Sequence, residues 1–507
     1  MKKGIRFCSH NVSLRIFGTL TKQVFLVPVF CLAVSFQTGT TRAELPVTGV
    51  PVPALTAFDF AMQHFMEDYG LEGGILAVSK DGCVVYQRGF GYAYNGIDPF
   101  PENTPMRLAS VEKPLTAAAI RYLIADGVIS LSDYVFDVGQ PLRWGQRALL
   151  DASTRSSTYF PYDGAYGDTL LGDIKVEHLL LHQGGWDRVI AYDPFSTGKT
   201  IEIGNATRST PPGRTNTVRY MMSEPLQFDP NNPVKCDFTA TDSCLQTPAP
   251  CYCDRYSNYG YMLLSLIIEQ ETVQGHTDFI RQRVLTPEMW VPSTEIIFGR
   301  TFQADQNERE PRYIYGKNCT NVYDPNGPSV SCPYGGFDLE SKTGEGNLVA
   351  SAAPLLTFLD NYQACTWCTN VGIPISSPVN GWKNGGLAGT STCIRQRDDG
   401  INIVVLFNEN AGTGGLADDM LDDIETIIDL GGLTWPTACV DGFWVDFNAS
   451  ASGFGGYDDP FHTMDTALAA TTDGTKLRIK PGTSNWTGTI SERMLLDAPF
   501  GAAIIGQ

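Results

Sequence analysis

The sequence predicts a mixed α/β (α+β) fold, and three segments carry this prediction. Apolar residues recur at helical spacing just after Ser110 and stop near Gly127, where glycine commonly ends a helix. Residues 261–268 are apolar on nearly every side, which indicates a buried helix. Residues 390–407 contain two strand-like runs around a turn at 398–400, a pattern typical of a β-hairpin.

The first 43 residues predict a signal peptide. They hold basic but no acidic residues, and an apolar core over 24–34 precedes Thr41-Arg42-Ala43. A membrane anchor is the alternative, but the core is short for a span and is interrupted by Pro28. We therefore expect a secreted, periplasmic or other extracellular location.

The composition indicates a globular and strongly acidic chain. Its 507 residues include 43% hydrophobic and 11% aromatic residues, enough for a large core. The formal net charge of −19 becomes still more negative once the basic leader is removed. A nucleic-acid partner is therefore not expected.

A candidate nucleophile stands at the start of the first predicted helix. Ser110 and Lys113 would share one helical face, and Pro114 falls in the first turn, where its missing N–H does little harm. The motif alone is weak, because a helix N-cap serine with a surface lysine produces the same pattern. A second such pair, Ser196 and Lys199, follows an Asp-Pro pair and predicts a turn rather than a helix.

The second motif, Tyr256-Ser257-Asn258, directly precedes the apolar helix of residues 261–268. No other Tyr-x-Asn occurs in the sequence. The alternative interpretation is that Asn258 is only the N-cap of that helix.

The third motif, Lys383-Asn384-Gly385, has a competitor at residues 342–344, which match the common Lys-Thr-Gly form more literally. Context favours Lys383, because it precedes the predicted hairpin and would point into a site from a rigid edge strand. Lys342 instead leads into an apolar, glycine-led helix over residues 346–359.

Together and in this order, the motifs resemble those of the serine β-lactamase and penicillin-binding protein superfamily. The nearest branch is the class C-like one, with D,D-peptidases, D-aminopeptidases and family VIII-type carboxylesterases. The resemblance covers roughly residues 55–435, and residues 74–79 and 89–92 resemble the family's first two strands. It implies a hydrolase domain over 44–436: an antiparallel sheet flanked by helices, beside a helical subdomain, with Ser110 at their junction.

The residue types suggest the chemistry. A serine hydroxyl is a poor nucleophile and needs a base, either a neutral lysine or a tyrosinate whose pKa is lowered from about 10 by nearby cations and burial. We assign Ser110 as nucleophile, with Lys113 and Tyr256 sharing the general-base work and Tyr256 returning a proton to the leaving group. The sequence leaves open which of the two takes the first proton.

The resemblance implies that further motif residues bind substrate. The backbone N–H groups of Ser110 and Gly386 would stabilise the oxyanion. Asn258 would orient Lys113 or contact an amide of the substrate.

Lys383 would flank Tyr256 from the third motif, beside Asn384 and Gly385. Asn384 stands where the family usually has threonine or serine. Recognition of a substrate carboxylate by this motif is therefore less expected.

Neither a metal site nor a cofactor is expected. The chain has six histidines, and its cysteines are not interleaved with them at zinc-like spacing. A Ser-His-Asp triad through His182 and Asp187 is an alternative, but no Gly-x-Ser-x-Gly elbow occurs. A histidine in a leucine-rich turn is more often structural.

The cysteines predict disulfides. An odd number remains after the leader, so several disulfides and one leftover thiol are expected in an oxidising compartment. Cys365 and Cys368 predict a structural disulfide rather than a redox pair. Four cysteines within residues 236–253 predict a stapled loop that borders the site and shapes the substrate cleft.

Residues 437–507 predict a small β-rich extension. A short helix near 464–470, a strand-like run at 476–480 and an apolar end at 501–505 resemble the opening turns of a right-handed parallel β-helix. The extension is too short for a free-standing solenoid. We expect it to pack against the hydrolase or to contact a surface or partner.

These observations predict an exported serine hydrolase that cleaves a small ester, amide or peptide through a Ser110 acyl-enzyme. A carboxylesterase is favoured, on the Asn384 departure and the cysteine-rich loop. The alternatives are a D,D-peptidase or β-lactamase, and a catalytically silent binding protein of the same fold.

Overall fold

The computed structural model describes residues 45–94, 96–142, 144–232, 255–365, 368–410 and 415–506. The predicted signal peptide over 1–43 and the cysteine-rich segment over 236–253 lie outside these residues.

The described α-helices are α1 (Thr56–Tyr69), α2 (Glu112–Ala125), α3 (Val176–Leu180), α4 (Thr197–Thr207), α5 (Gly213–Met221), α6 (Asn258–Thr272), α7 (His276–Phe279), α8 (Ala352–Asn361), α9 (Leu416–Asp429) and α10 (Met464–Ala470). The described strands are β1 (Val47–Thr48), β2 (Gly73–Lys80), β3 (Cys83–Tyr94), β4 (Asp98–Pro99), β5 (Met106–Arg107), β6 (Tyr134–Asp137), β7 (Ala148–Asp151), β8 (Ile296–Phe298), β9 (Asn318–Cys319), β10 (Val330–Ser331), β11 (Leu348–Ala350), β12 (Gly381–Leu387), β13 (Thr390–Gln396), β14 (Ile401–Phe407), β15 (Phe443–Val445), β16 (Thr475–Ile479), β17 (Gly482–Ser484), β18 (Met494–Asp497) and β19 (Ala503–Ile505).

A seven-stranded antiparallel sheet forms the centre of the fold. Its strand order is β1-β3-β2-β14-β13-β12, with β4 added beside β3. The predicted first two strands correspond to β2 and β3, and the predicted hairpin corresponds to β13 and β14. Strand β12 carries the third motif and lies at the edge of the sheet. The antiparallel sheet with its helices confirms the predicted mixed fold.

Helices cover both faces of this sheet, which explains the apolar run from Ile403 to Phe407 in β14. Val404 and Leu406 point to one core with residues of α2, α6 and α8. Ile403 and Val405 point to a second core with residues of α1 and α9. Because alternate side chains of a strand face opposite sides, a strand buried on both faces has apolar residues at every position.

Two local predictions were wrong. Residues 197–207 form helix α4 instead of a turn, because the Asp-Pro pair lies outside the helix; Lys199 forms an ion pair with Glu202 at 2.9 Å. The predicted glycine-led helix begins only at Ala352, since residues 348–350 extend as strand β11 between β5 and β8.

The C-terminal residues form parallel ladders. Strand β16 pairs with β15 and β18, and β17 pairs with β19, all in parallel. The Cys83–Cys439 disulfide and the Arg493–Glu288 ion pair of 3.1 Å join this region to the rest of the chain. The domain boundary near residue 436 and the likeness to a β-helix stay predictions.

Three disulfides occur among the described cysteines: Cys83–Cys439, Cys319–Cys332 and Cys365–Cys368. Cys393 is a buried free thiol. Across the described ranges, no helix has the length and apolar character needed to cross a membrane.

Candidate active site

Ser110 lies where the helical region meets the edge of the sheet. It occupies a 3₁₀ turn, Ala109–Val111, that leads directly into α2. Thr392 of β13 donates a hydrogen bond of 2.8 Å to the carbonyl of Leu108, which ties this turn to the sheet. Ala109 has a φ of 49°, a left-handed conformation that is costly for a residue with a Cβ atom and is often found at functional sites.

Two groups reach the hydroxyl of Ser110. The Nζ atom of Lys113 lies 3.0 Å from Ser110 Oγ, one helical turn along α2. The hydroxyl of Tyr256 donates a hydrogen bond of 2.7 Å to the same oxygen. The first two sequence motifs, 146 residues apart between Ser110 and Tyr256, therefore converge on one atom.

The amine of Lys113 is fully buried, and burial lowers its pKa because the charged form loses its hydration. Glu345 opposes this effect from 3.3 Å, since a carboxylate favours the protonated amine. The backbone carbonyl of Glu345 also accepts a hydrogen bond from Nζ at 2.7 Å. Lys113 is thus held in place by one residue on a distant segment.

Three basic side chains surround the ring of Tyr256. The Nζ atoms of Lys113 and Lys383 each lie 4.8 Å from the ring centre, and the guanidinium carbon of Arg188 lies 4.5 Å from it. Burial nevertheless raises the pKa of Tyr256, and it outweighs the opposing effects of the Ser110 hydrogen bond and Arg188. The expectation that neighbouring cations would lower this pKa is therefore wrong, because the buried phenolate loses more hydration than they return.

Lys383 and Asn384 point to opposite sides of β12. Lys383 is buried and faces Tyr256, and its pKa is lowered well below the usual value by burial and by the nearby Lys113 and Arg188. The amide of Asn384 instead donates a hydrogen bond of 3.1 Å to Asp418 on α9. Alternation along the strand thus takes the Asn384 side chain away from the side that Lys383 faces.

Gly385 and Gly386 differ in the space around them. A Cβ atom on Gly385 would lie 2.4 Å from the carbonyl oxygen of Leu108 and 2.9 Å from the backbone nitrogen of Ser110. A Cβ atom on Gly386 would meet only the side chain of Asn410 at 3.5 Å. Glycine at 385 therefore allows β12 to lie directly against the serine turn.

The side chain of Asn258 contacts Asp193 rather than Lys113. Its Nδ2 atom donates a hydrogen bond to Asp193 Oδ2, and within the described ranges no hydrogen bond joins it to Lys113. The Oδ1 atom of Asn258 is buried and has no hydrogen-bond partner among the residues described. The N-cap role belongs to the neighbouring Ser257, whose Oγ accepts from the Gly260 N–H at 3.1 Å.

His182 supports the tyrosine motif from behind. Its ring centre lies 4.6 Å from that of Tyr256, and its Nδ1 accepts a hydrogen bond of 3.1 Å from the backbone N–H of Ser257. Burial and neighbouring cations lower its pKa well below 6.5, so the ring is neutral. These contacts are those of a structural histidine.

Sequence reasoning missed three residues of this cluster. Lys342 begins the competing Lys-Thr-Gly segment, and Glu345 directly follows that segment. The Nζ atom of Lys342 donates a hydrogen bond of 3.1 Å to Glu345 Oε1. That literal match was a usable signal for proximity to the site. Arg188 carried no comparable signal, because nothing in its segment predicts contact with Tyr256. No metal-binding group of three or more His, Cys, Asp or Glu occurs in the part of the chain described.

The sequence model of the Beta-lactamase family matches residues 58–369, more than half of the chain. The chain belongs to the beta-lactamase family. The predicted superfamily resemblance is thereby confirmed, and so is the predicted class of serine hydrolase. The beta-lactamase family match includes the first two motifs and ends before Lys383.

Relatives within and around the beta-lactamase family are distant. Penicillin-binding protein 4* of Bacillus subtilis (strain 168) is 26% identical over 270 residues, which are 53% of this chain and 45% of that protein. The matched part thus spans less than half the length of this curated relative.

The similar solved structures are also distant in sequence. The D-amino acid amidase from Ochrobactrum anthropi SV3 complexed with D-phenylalanine is 19% identical, with a TM-score of 0.48, over 74% of this chain and 99% of that chain. The octameric penicillin-binding protein homologue from Pyrococcus abyssi is 18% identical, with a TM-score of 0.45, over 73% and 77% of the two chains. These likenesses are too weak to indicate a substrate.

Proposed function

We propose that this protein hydrolyses an ester or amide through an acyl-enzyme on Ser110. The observation that carries this proposal is the approach of Lys113 Nζ and the Tyr256 hydroxyl to Ser110 Oγ, at 3.0 and 2.7 Å. A base within hydrogen-bond reach of a serine hydroxyl is the arrangement that activates such a nucleophile.

In acylation, Ser110 Oγ attacks the carbonyl carbon while its proton moves to the neutral amine of Lys113. The lowered pKa of Lys113 favours the neutral amine, and the raised pKa of Tyr256 keeps its phenol protonated. The directions of these two shifts support Lys113 as the base and Tyr256 as the group that passes a proton to the leaving group. Water then cleaves the Ser110 ester, with the proton transfers reversed.

The backbone N–H groups of Ser110 and Gly386 are our candidates for the oxyanion hole. Strand β12 lies at the edge of the sheet, and apart from the isolated bridge between Trp382 and Cys365 no strand of the described residues pairs with its outer side. Gly385 lies against the Ser110 turn, with the Ser110 nitrogen 2.9 Å from where a Cβ atom of residue 385 would stand, and this close approach supports the assignment. Donors preset in this way stabilise the charge that develops on the carbonyl oxygen.

A carboxylesterase is our first proposal for the substrate class. The third motif offers no hydroxyl for a substrate carboxylate, and its Asn384 side chain bonds Asp418 instead. A neutral ester has no carboxylate and does not need such a hydroxyl. A proposed substrate-binding role for Asn384 is thus limited to its backbone.

A D,D-peptidase or β-lactamase activity is the second candidate, and two observations favour it. Arg188 is exposed beside Tyr256 and has no ion-pair partner among the described residues, so it is available to a substrate carboxylate. The second observation is the 26% identity over 270 residues with penicillin-binding protein 4*.

The setting of the enzyme is also a proposal. The disulfides between Cys83 and Cys439 and within residues 319–332 are typical of an oxidising compartment, which supports removal of residues 1–43 and export. We propose that residues 437–507 are an extension attached to the hydrolase domain of 44–436.

Stopped-flow hydrolysis of p-nitrophenyl butyrate tests the proposal, with Ser110→Ala as the matched variant. An acyl-enzyme predicts a burst of p-nitrophenol equal to the enzyme concentration, absent from the variant. Equal release by both folded proteins would contradict a Ser110 nucleophile and favour the catalytically silent binding protein. Hydrolysis of a D-alanyl peptide, followed by release of D-alanine, and of a penicillin, followed by opening of its lactam ring, then separates the two substrate classes in the same pair of proteins.

A further inference from the structure

Glu345 is a buried carboxylate shared by two lysines. Its Oε2 atom lies 3.3 Å from Lys113 Nζ, and its Oε1 atom lies 3.1 Å from Lys342 Nζ. The exposed fractions of the side chains are 0% for Lys113, 3% for Glu345 and 6% for Lys342. The three groups form a buried chain of charges that ends on the hydroxyl of Ser110.

Helix α2 itself fixes the segment that carries Glu345. The carboxylate of Glu112, the residue before Lys113, accepts hydrogen bonds from the N–H groups of Gly344 at 2.7 Å and Leu348 at 3.0 Å. Thr116, one turn further along, donates to the carbonyl of Gly344 at 2.8 Å. Glu345 is therefore held at a set position relative to the amine of Lys113.

The charges of this chain decide whether Lys113 can act as a base. With Lys113 as its only partner, the carboxylate of Glu345 would hold that amine protonated and unable to accept a proton. Lys342 satisfies the carboxylate from its other side. The fully protonated cluster then carries one positive charge in excess, and burial favours the loss of one proton.

We propose that Glu345 is a positioning residue that holds the amine of Lys113 against Ser110, and that Lys342 neutralises Glu345 so that Lys113 can be a neutral base. This role presupposes that Ser110 is the nucleophile. Before substrate binds, Lys113 loses its proton to solvent. During acylation the Ser110 proton moves to Nζ and then through Tyr256 to the leaving group, so Lys113 ends neutral.

Other charged or titratable groups also face Lys113. They are Glu112 on its own helix, Asp193, Lys383 and His182, with the phenols of Tyr256 and Tyr261 beside the amine. All of them are unchanged in variants of residues 342 and 345. A comparison of those variants with the wild type therefore isolates the two charges of interest.

The test is the pH profile of kcat/KM for p-nitrophenyl butyrate, whose acidic limb reports the pKa of the base in the free enzyme. In Lys342→Met, Glu345 has only Lys113 as a partner, so we expect the limb to move to higher pH by about one unit or more. In Glu345→Gln, two cations remain without a carboxylate, so we expect the limb to move to lower pH by a similar amount, with a smaller maximum rate. Lys342→Arg keeps the charge and is expected to keep the wild-type limb.

A merely structural role would reduce the rate without moving the two limbs in opposite directions. Limbs that stay in place, or that move in the same direction, would overturn the proposal. The double variant Glu345→Gln/Lys342→Met removes one charge of each sign and is used if one of the single variants does not fold. Its acidic limb is expected at a pH between the limbs of the two single variants. A limb outside that range would equally overturn the proposal. Wild-type activity in Ser110→Ala would instead show that the proposed function, and this role with it, is wrong.

Discussion

Gly385 lies directly against the backbone of Ser110. A Cβ atom at position 385 would be 2.9 Å from the Ser110 nitrogen and 2.5 Å from the hydroxyl of Thr392. Strand β12 and the Ser110 turn, which are far apart in the sequence, can therefore lie together only because residue 385 has no side chain.

Gly385→Ala is expected to displace the serine turn. Overpacking of this kind costs about 1–3 kcal/mol of stability, and a shift near 1 Å at a reacting atom costs about a hundredfold in rate. The control is Gly198→Ala on helix α4, whose Cβ atom would meet no atom within 4 Å. Thermal unfolding and kcat for both variants provide the measurement, and equal kcat values would contradict the proposed role of Gly385.

Tyr256→Phe is expected to lower kcat by about a hundredfold or more, because it removes the hydroxyl that donates to Ser110 at 2.7 Å. The ring and its contacts with Lys113, Lys383 and Arg188 remain, so the protein should stay folded. Tyr261→Phe is the control: it loses a hydrogen bond of 3.1 Å to the carbonyl of Leu180 but no contact with Ser110. If steady-state kinetics gave the two variants similar kcat values, Tyr256 would have no part in proton transfer.

Arg188→Ala distinguishes between substrate classes. We expect kcat/KM to fall about tenfold for an ester that carries a carboxylate, since an available charge-assisted contact is lost. For a neutral ester of the same size we expect little change. Arg188→Lys keeps the positive charge and should retain part of the preference. An equal loss for both esters would show that Arg188 supports Tyr256 and does not recognise a carboxylate.

The raised pKa of Glu112 predicts that the free energy of unfolding falls as the pH rises. Burial raises its pKa to about 7, whereas an unfolded glutamate titrates near 4.3. Between these values the folded state binds more protons than the unfolded state, so the free energy of unfolding decreases with increasing pH, by roughly 4 kcal/mol for this group. The nearby His276 does not offset the charge, because burial lowers its pKa to about 3.

The measurement is the free energy of unfolding in urea between pH 4.5 and pH 8, for wild type and Glu112→Gln. The variant does not titrate at this position, so its stability should depend less on pH. It should also be less stable at low pH, because the glutamine amide cannot accept the Leu348 N–H. The same pH dependence in both proteins would rule out the raised pKa.

Local patterns were sufficient to predict the elements that carry the site. The hairpin β13–β14 follows from two strand-like runs around a turn, helix α2 from apolar residues at helical spacing, and helix α6 from a run that is apolar on nearly every side. These signals need no partner segment. The order of the three motifs was sufficient to identify the family. The convergence of Lys113 and Tyr256 on Ser110 matches the chemistry that the motifs indicate.

Contacts between distant segments could not be predicted in the same way. Glu345 contacts Lys113 although the two residues are 232 positions apart in the sequence. Asn384 bonds Asp418 on α9 because alternate side chains of β12 face opposite sides of the sheet. The pKa of Tyr256 depends on burial, which a motif does not report. The choice of Lys383 over Lys342 for the third motif stays a prediction, and Lys342 contacts the same cluster through Glu345.

The most direct test of the account is to trap the covalent intermediate. The protein is mixed with p-nitrophenyl butyrate, quenched in acid at the end of the burst, digested and mapped by mass spectrometry. We predict a butyryl group on the peptide that contains Ser110, at a stoichiometry near one and absent from Ser110→Ala. A butyryl group on any other residue, or turnover with no acylated peptide, would contradict a Ser110 acyl-enzyme.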